Sequence, residues 1–126
     1  LSQIAEIKYL CGDDLDIYSG NDDQTVPILS IGGIGVISVL SNIAPRVMHD
    51  ICKLYLSGYT QKATELYLKH IGLMNAMFCD VNPIPVKEAM NMLGMNAGKC
   101  RLPLYPLNNS NKDLVKSKLI ECGFKL

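Results

Sequence analysis

Apolar positions in this chain follow one spacing near its start, break into short unalternated runs, and then settle into a helical period to the end. Leu1, Ile4, Ile7, Leu10 and Cys11 recur at helical spacing, and Gly12 is a natural stop. Leu15-Asp16-Ile17-Tyr18 reads as a short strand that ends at Ser19-Gly20-Asn21-Asp22-Asp23. Thr25 to Ser30 carries a brief helical pattern, and Ile31 to Val39 holds a second strand. Within it Val36 to Val39 are apolar or small without alternation, which suits a parallel strand covered on both faces. Helix, strand, helix, strand with short connections predicts alternating α/β units. Folds of that class do their chemistry at the carboxyl ends of the strands, which turns attention to Ile37, Ser38 and the residues after them.

Beyond Asn42 the pattern is helical throughout. Asn42 to Ser57 has Pro45 near its first turn, where a missing N–H costs nothing, and Gly58 at its end. Val47, Met48, Ile51, Leu54 and Tyr55 form its apolar stripe. Thr60 is placed to cap the next helix, with Ala63, Leu66, Tyr67, His70, Ile71, Met74 and Phe78 on one side. Pro83 and Pro85 interrupt, and Pro85 can begin a further helix through Leu93, ended by Gly94. Arg101 to Leu107 is extended because its prolines disfavour helix in the residues before them. Ser110 and Asp113 form a capping-box-like start for a last helix through Glu121, closed by Gly123.

Two buried parallel strands leave two edges of unpaired N–H and C=O groups, and nothing later in the chain reads as able to cover them. Further strands before Leu1 are therefore expected, and the lack of an initiator Met fits a cut or truncated product. A complete α/β barrel takes eight strands and about 250 residues. On that architecture residues 1–58 supply the last two strands with their helices, and residues 59–126 form a C-terminal helical domain.

Composition narrows the partners. Twelve basic and twelve acidic side chains cancel, so no global field favours nucleic acid or an acidic membrane. No apolar run approaches the roughly 20 residues that span a bilayer, and Leu1-Ser2-Gln3-Ile4 lacks the basic start of a signal peptide. Five widely spaced cysteines contain no C-x-x-C pair, so free thiols in a reducing cytoplasm are expected.

Several groupings bear on chemistry. Ser19-Gly20-Asn21-Asp22-Asp23 follows a strand, where Gly20 and Asn21 would line a polar pocket while Asp22 or Asp23 caps the next helix. The glycines of Gly32-Gly33-Ile34-Gly35 precede their strand, so they are a tight lead-in and not a dinucleotide fingerprint. His49 and Cys52 share a helix face without a second ligand pair, which favours a structural role over metal binding. His70 reads as a partly buried, hydrogen-bonded side chain, and Met74, Met77, Met90, Met92 and Met95 as fillers of packing gaps. Asn82-Pro83-Ile84-Pro85-Val86-Lys87 is a stiff joint: Asn82 could present its amide to a cleft, or the segment is simply a rigid turn. Lys87 looks solvated and unsuited to Schiff-base chemistry.

Ser19-Gly20-Asn21-Asp22, Gly32 to Val39, Asn82 to Lys87 and Arg101-Leu102-Pro103-Leu104 together resemble the C-terminal portion of the dihydrodipicolinate synthase family, over the whole chain. The double-proline segment is the most specific of these motifs; the glycine-rich strand is shared with other pyruvate-dependent class I lyases. The resemblance implies the last two strands of a (β/α)8 TIM barrel followed by a C-terminal helical domain, in a cytoplasmic homotetramer. It implies condensation of pyruvate with aspartate semialdehyde on the diaminopimelate route to lysine, through a lysine Schiff base and with no metal or organic cofactor. It also implies that the backbone carbonyl of Ile37 lies against pyruvate, that Gly20 and Asn21 line the pocket, and that Leu1 and Ser2 fall in the weaker tetramer interface. Asn21 stands where the family often has Asp. The lysine nucleophile belongs to a strand upstream of Leu1, so the N-terminal portion of the same protein is an implied partner and this chain alone is expected to be inactive. The alternatives are a related lyase acting on a sugar acid, such as a sialic acid lyase, and a half-barrel that associates without chemistry.

Overall fold

Helical periods as strong as those after Asn42 fold where they are written. A computed structural model describes all of residues 1–126. In chain order it contains α1 (Ser2–Cys11), β1 (Tyr18–Ser19), α2 (Thr25–Ser30), β2 (Gly35–Val36), α3 (Pro45–Leu56), α4 (Thr60–Ala76), α5 (Ile84–Met92) and α6 (Asn109–Glu121). Short 3-10 turns, Asp22–Gln24 and Leu40–Asn42, follow the two strands.

The strands are shorter than the sequence pattern predicts. They pair in parallel over two residues each, Tyr18 with Gly35 and Ser19 with Val36. Bonds from Ile34 N to the Ile17 carbonyl (2.9 Å) and from Ile37 N to the Ser19 carbonyl (2.8 Å) prolong the alignment on either side. Ile31 to Gly33 is not strand but the exit from α2, where Gly33 N donates to the Ile28 carbonyl at 2.9 Å. A Cβ on Gly33 would stand 2.6 Å from Ile28 Cγ2 and 2.8 Å from the Ile28 carbonyl oxygen, so only glycine lets α2 and β2 approach this closely. Nor are the strands covered on both faces: Tyr18 and Ile37 are exposed, because this chain supplies no second layer there.

The core lies among the helices. A cluster of 16 buried residues runs from Leu40, Ile43 and Ala44 after β2, through Met48 and Ile51 of α3, to Val115 and Leu119 of α6. The α3–α4 and α5–α6 pairs carry most of this packing. Between them Tyr67, Leu73, Met74, Ala76 and Met77 bring α4 into the same core, so the helical period of residues 60–77 is used inward. Phe78, predicted on that face, lies beyond the helix end and is exposed, and Met95 is likewise outside the packing. His70 is buried with Nδ1 2.8 Å from the Leu66 carbonyl. By contrast no residue of α1 is buried; its apolar side chains Leu1 and Leu10 face outward.

Three predicted helix starts change: α3 begins at Pro45 and not Asn42, which closes a separate 3-10 turn, and two caps move. Tyr59, not Thr60, occupies the N-cap position of α4: its N–H donates to the Leu54 carbonyl (2.9 Å) while its own carbonyl accepts from Ala63 N (3.0 Å). One residue thus closes α3 and opens α4, leaving no room for a separate Thr cap. The start of α6 is capped by Asn108, whose side chain accepts from Asn111 N at 2.8 Å, and Ser110 is already inside the helix. Gly58, Gly94 and Gly123 stand just past α3, α5 and α6 with left-handed φ, as the stop signals predict.

Leu73 is fully buried at the centre of this helical core. Leu73→Ala is expected to lower unfolding free energy by about 2–5 kcal/mol. On the exposed side of the same helix, Leu68→Ala should stay within about 0.5 kcal/mol. Urea unfolding of the two variants compares them directly.

Candidate active site at the carboxyl ends of the strands

Where β1 and β2 end, two loops leave side by side, and both are fastened by side chains of low hydropathy that the sequence places at their bases. Ser19 is wholly buried, and its Oγ donates to the Asn21 carbonyl (2.6 Å) while accepting from Asn21 N (3.2 Å). This closes a tight turn with Gly20 and Asn21 on its exposed outer side. After β2, Ser38 and Ser41 form a reciprocal pair: Ser41 N donates to Ser38 Oγ (2.8 Å) and Ser41 Oγ to the Ser38 carbonyl (2.9 Å).

Asp22 joins the loops. Its carboxylate is 1% exposed, and Oδ2 accepts from both Val39 N (3.0 Å) and Leu40 N (2.9 Å). These N–H groups open the 3-10 turn Leu40–Asn42 and have no partner earlier in their own segment, so a carboxylate from the neighbouring loop takes the place of a local cap. The sequence reading assigned Asp22 or Asp23 to capping α2; neither side chain does so. No local signal marks the true role, since the partners lie 17 and 18 residues away. Buried beside this bond, Asp22 Oδ1 and Thr25 Oγ1 have no hydrogen-bond partner within the chain.

A third fastening comes from α4. The Tyr67 hydroxyl donates to the Asp23 carbonyl, 44 residues earlier in sequence. Burial, with the Asp23 carboxylate nearby, pushes the Tyr67 phenol above its usual range.

Ile37 sits between these fastenings. Its N–H is committed to the Ser19 carbonyl, its side chain is 70% exposed, and its own carbonyl takes no hydrogen bond from the chain. A free backbone acceptor therefore stands at the end of β2, one residue past its pairing with β1. Asn82 is exposed at the start of the double-proline joint, and the following helix α5 packs against the 3-10 turn Leu40–Asn42. No hydrogen bond joins Asn82 to Ile37 or to the turn of Gly20 and Asn21. Leu1 and Ser2 are exposed at the start of α1.

The other candidates are structural. Lys87 donates to the Lys99 carbonyl (2.9 Å), holding the loop after α5. His49 is exposed with Nδ1 2.9 Å from Asp50 Oδ1. Burial raises the Cys52 thiol, which keeps it protonated and poorly nucleophilic. No group of three or more His, Cys, Asp or Glu side chains converges as a ligand set for a metal. No helix is long and apolar enough to cross a membrane. The N–H donors of Asn21, Ile37, Val39, Leu40 and Ser41 at the strand ends are all committed within the chain, so the Ile37 carbonyl is the group left there to meet a bound molecule.

Comparison with known proteins gives this site a context. Residues 1–121 match the sequence model of the Dihydrodipicolinate synthetase family. The 4-hydroxy-tetrahydrodipicolinate synthase of Caldicellulosiruptor saccharolyticus is 55% identical over 126 residues, which are all of this chain and 42% of that protein. The enzyme of the same name from Clostridium tetani is 58% identical over 119 residues, 94% of this chain and 40% of its own length. Among solved structures, dihydrodipicolinate synthase from Thermotoga maritima superposes with a TM-score of 0.91 at 41% identity, over 97% of this chain and 42% of that one. The chain thus spans about two-fifths of the relatives it matches.

Because Asp22 serves two otherwise unpartnered N–H groups, Asp22→Ala is expected to destabilise by about 2–4 kcal/mol. Asp23→Ala, which removes an exposed side chain, should cost less than about 0.5 kcal/mol. Urea midpoints of the two variants test the difference.

Proposed function

The chain belongs to the dihydrodipicolinate synthetase family of TIM-barrel enzymes, and from this we propose that it is the C-terminal portion of a 4-hydroxy-tetrahydrodipicolinate synthase. In this reading β1 and β2 are the last two strands of the barrel, α4 to α6 form the C-terminal helical domain, and the open sheet edges pair with strands from the N-terminal portion. The names carried by the relatives weigh toward aspartate semialdehyde as the aldehyde and against a sugar acid.

The observation that carries the site assignment is the uncommitted carbonyl of Ile37 at the end of β2. An amine from the N-terminal portion would add to the pyruvate carbonyl and expel water, giving a Schiff base that loses a methyl proton to become an enamine. The enamine carbon then forms the new bond to the aldehyde carbon, whose oxygen takes up a proton. Ile37 would contribute by orienting pyruvate through its backbone, with no role for its side chain beyond space filling. Gly20 and Asn21 would line the adjacent wall, and Asn82 would offer its amide from the double-proline joint. The chemistry calls for no metal or organic cofactor, since the protonated Schiff base takes up the electron pair released with the methyl proton. A cytoplasmic homotetramer with Leu1 and Ser2 at its weaker interface completes the reading.

Incubation with pyruvate, borohydride trapping and intact-mass analysis tests it. The pyruvyl adduct is expected on the N-terminal portion, with none on this chain; an adduct at Lys87 or any other lysine here would overturn the assignment. In the whole enzyme Ile37→Val should change adduct formation little. Ile37→Pro removes the N–H bonded to the Ser19 carbonyl and should slow it by about tenfold or more.

A further inference from the structure

The turn that carries Gly20 and Asn21 has few anchors of its own. The Ser19 hydroxyl bonds only within the turn while its carbonyl holds Ile37 N, a Cβ on Gly20 would meet no atom within 4 Å, and the 3-10 segment that follows is three residues long. A 3-10 turn of that length does not hold its shape by backbone bonding alone. Its position is set from outside, by Asp22 reaching to the turn after β2 and by Tyr67 reaching from α4 to the Asp23 carbonyl.

The two anchors differ in kind. Asp22 ties the loop after β1 to the turn after β2, whose Leu40 is itself in the buried cluster. Tyr67 adds a second tie, straight from α4: its ring belongs to the cluster that includes Leu73, Met74 and Val115, and its hydroxyl reaches the loop. α4 also packs against the 3-10 turn Asp22–Gln24 itself. The bond runs to a backbone carbonyl, so it depends on the presence of the phenol and not on which side chain stands at position 23.

We propose that Tyr67 is a positioning residue for the active-site loop, fixing Gly20 and Asn21 relative to the helical core and thereby setting how tightly substrate is held in the pocket they line. The proposal rests on the reading of Gly20 and Asn21 as pocket residues. Tyr67 touches no reacting atom; it acts through the Asp23 backbone. Losing one neutral hydrogen bond of this type frees the loop by about fivefold.

Tyr67→Phe keeps the ring and removes only the hydroxyl, and it is tested in the whole enzyme alongside Asp23→Ala, which keeps the carbonyl. Amide exchange over Gly20–Gln24 is expected to quicken by about fivefold in Tyr67→Phe and to match wild type in Asp23→Ala. KM for pyruvate, aspartate semialdehyde or both should rise about fivefold, with kcat within about twofold. Unchanged exchange in Tyr67→Phe would overturn the anchor. Faster exchange with unchanged KM would overturn the positioning role, as would an equal fall in kcat. Absence of a pyruvate adduct in the wild-type enzyme would instead overturn the functional reading and the kinetic part with it, and the exchange comparison would still decide whether Tyr67 anchors the loop.

Discussion

A buried carboxylate shared between two backbone N–H groups holds this structure's strand ends together. Asp22 lies almost wholly out of water, where an unpaired charge would be strongly unfavourable, and it is retained because Val39 and Leu40 would otherwise begin a turn with unmet donors. Hydrogen bonds to a charged group contribute about 1.5–3 kcal/mol each, more than the two-residue strand pairing beside them can rely on. The sheet supplies direction for the two loops; Asp22 supplies their mutual distance. Whatever Gly20 and Ile37 do, they do from positions that this bond defines.

The rest of the molecule is arranged around an asymmetry. Its apolar core is complete among α3, α4, α5 and α6, whereas the two strands and α1 present apolar side chains outward. Ile37, Tyr18, Leu10 and Tyr9 are all exposed. The chain covers about two-fifths of its relatives and belongs to a TIM-barrel family, and in it a packed helical part adjoins a two-stranded parallel sheet. The link between them is narrow: Leu40 to Ala44 feed into the core after β2, and Tyr67 reaches back from it to the loop after β1.

Helices were legible wherever a 3.6-residue apolar period met a proline near the start or a glycine past the end, as at Pro45 and Gly58 for α3. Their capping residues were less so. Tyr59 against Thr60, and Asn108 against Ser110, are choices between neighbours that share the chemistry or the place, and only the path of the preceding segment selects one. Strand lengths were overestimated because an apolar run records what could be buried, whereas pairing requires a partner at hand. Gly33 was readable as a tight turn, but the Ile28 atoms that forbid a side chain there come from α2 folding back. Of the site, the strand end drew attention to Ile37 and its neighbours, and the family resemblance alone singled out the Ile37 carbonyl. Asp22 and Tyr67 did not, since their partners are 17, 18 and 44 residues distant.

By itself the sequence determined the order of elements, the parallel α/β start, the helical remainder and the family, because apolar period, glycine and proline act over a few residues and motifs are matters of identity and spacing. Tertiary structure alone decided which carboxylate caps which turn, which tyrosine reaches the loop, and which faces stay open. Those outcomes depend on distances between segments remote in the chain, and a buried polar group takes the nearest partner the packed fold brings to it.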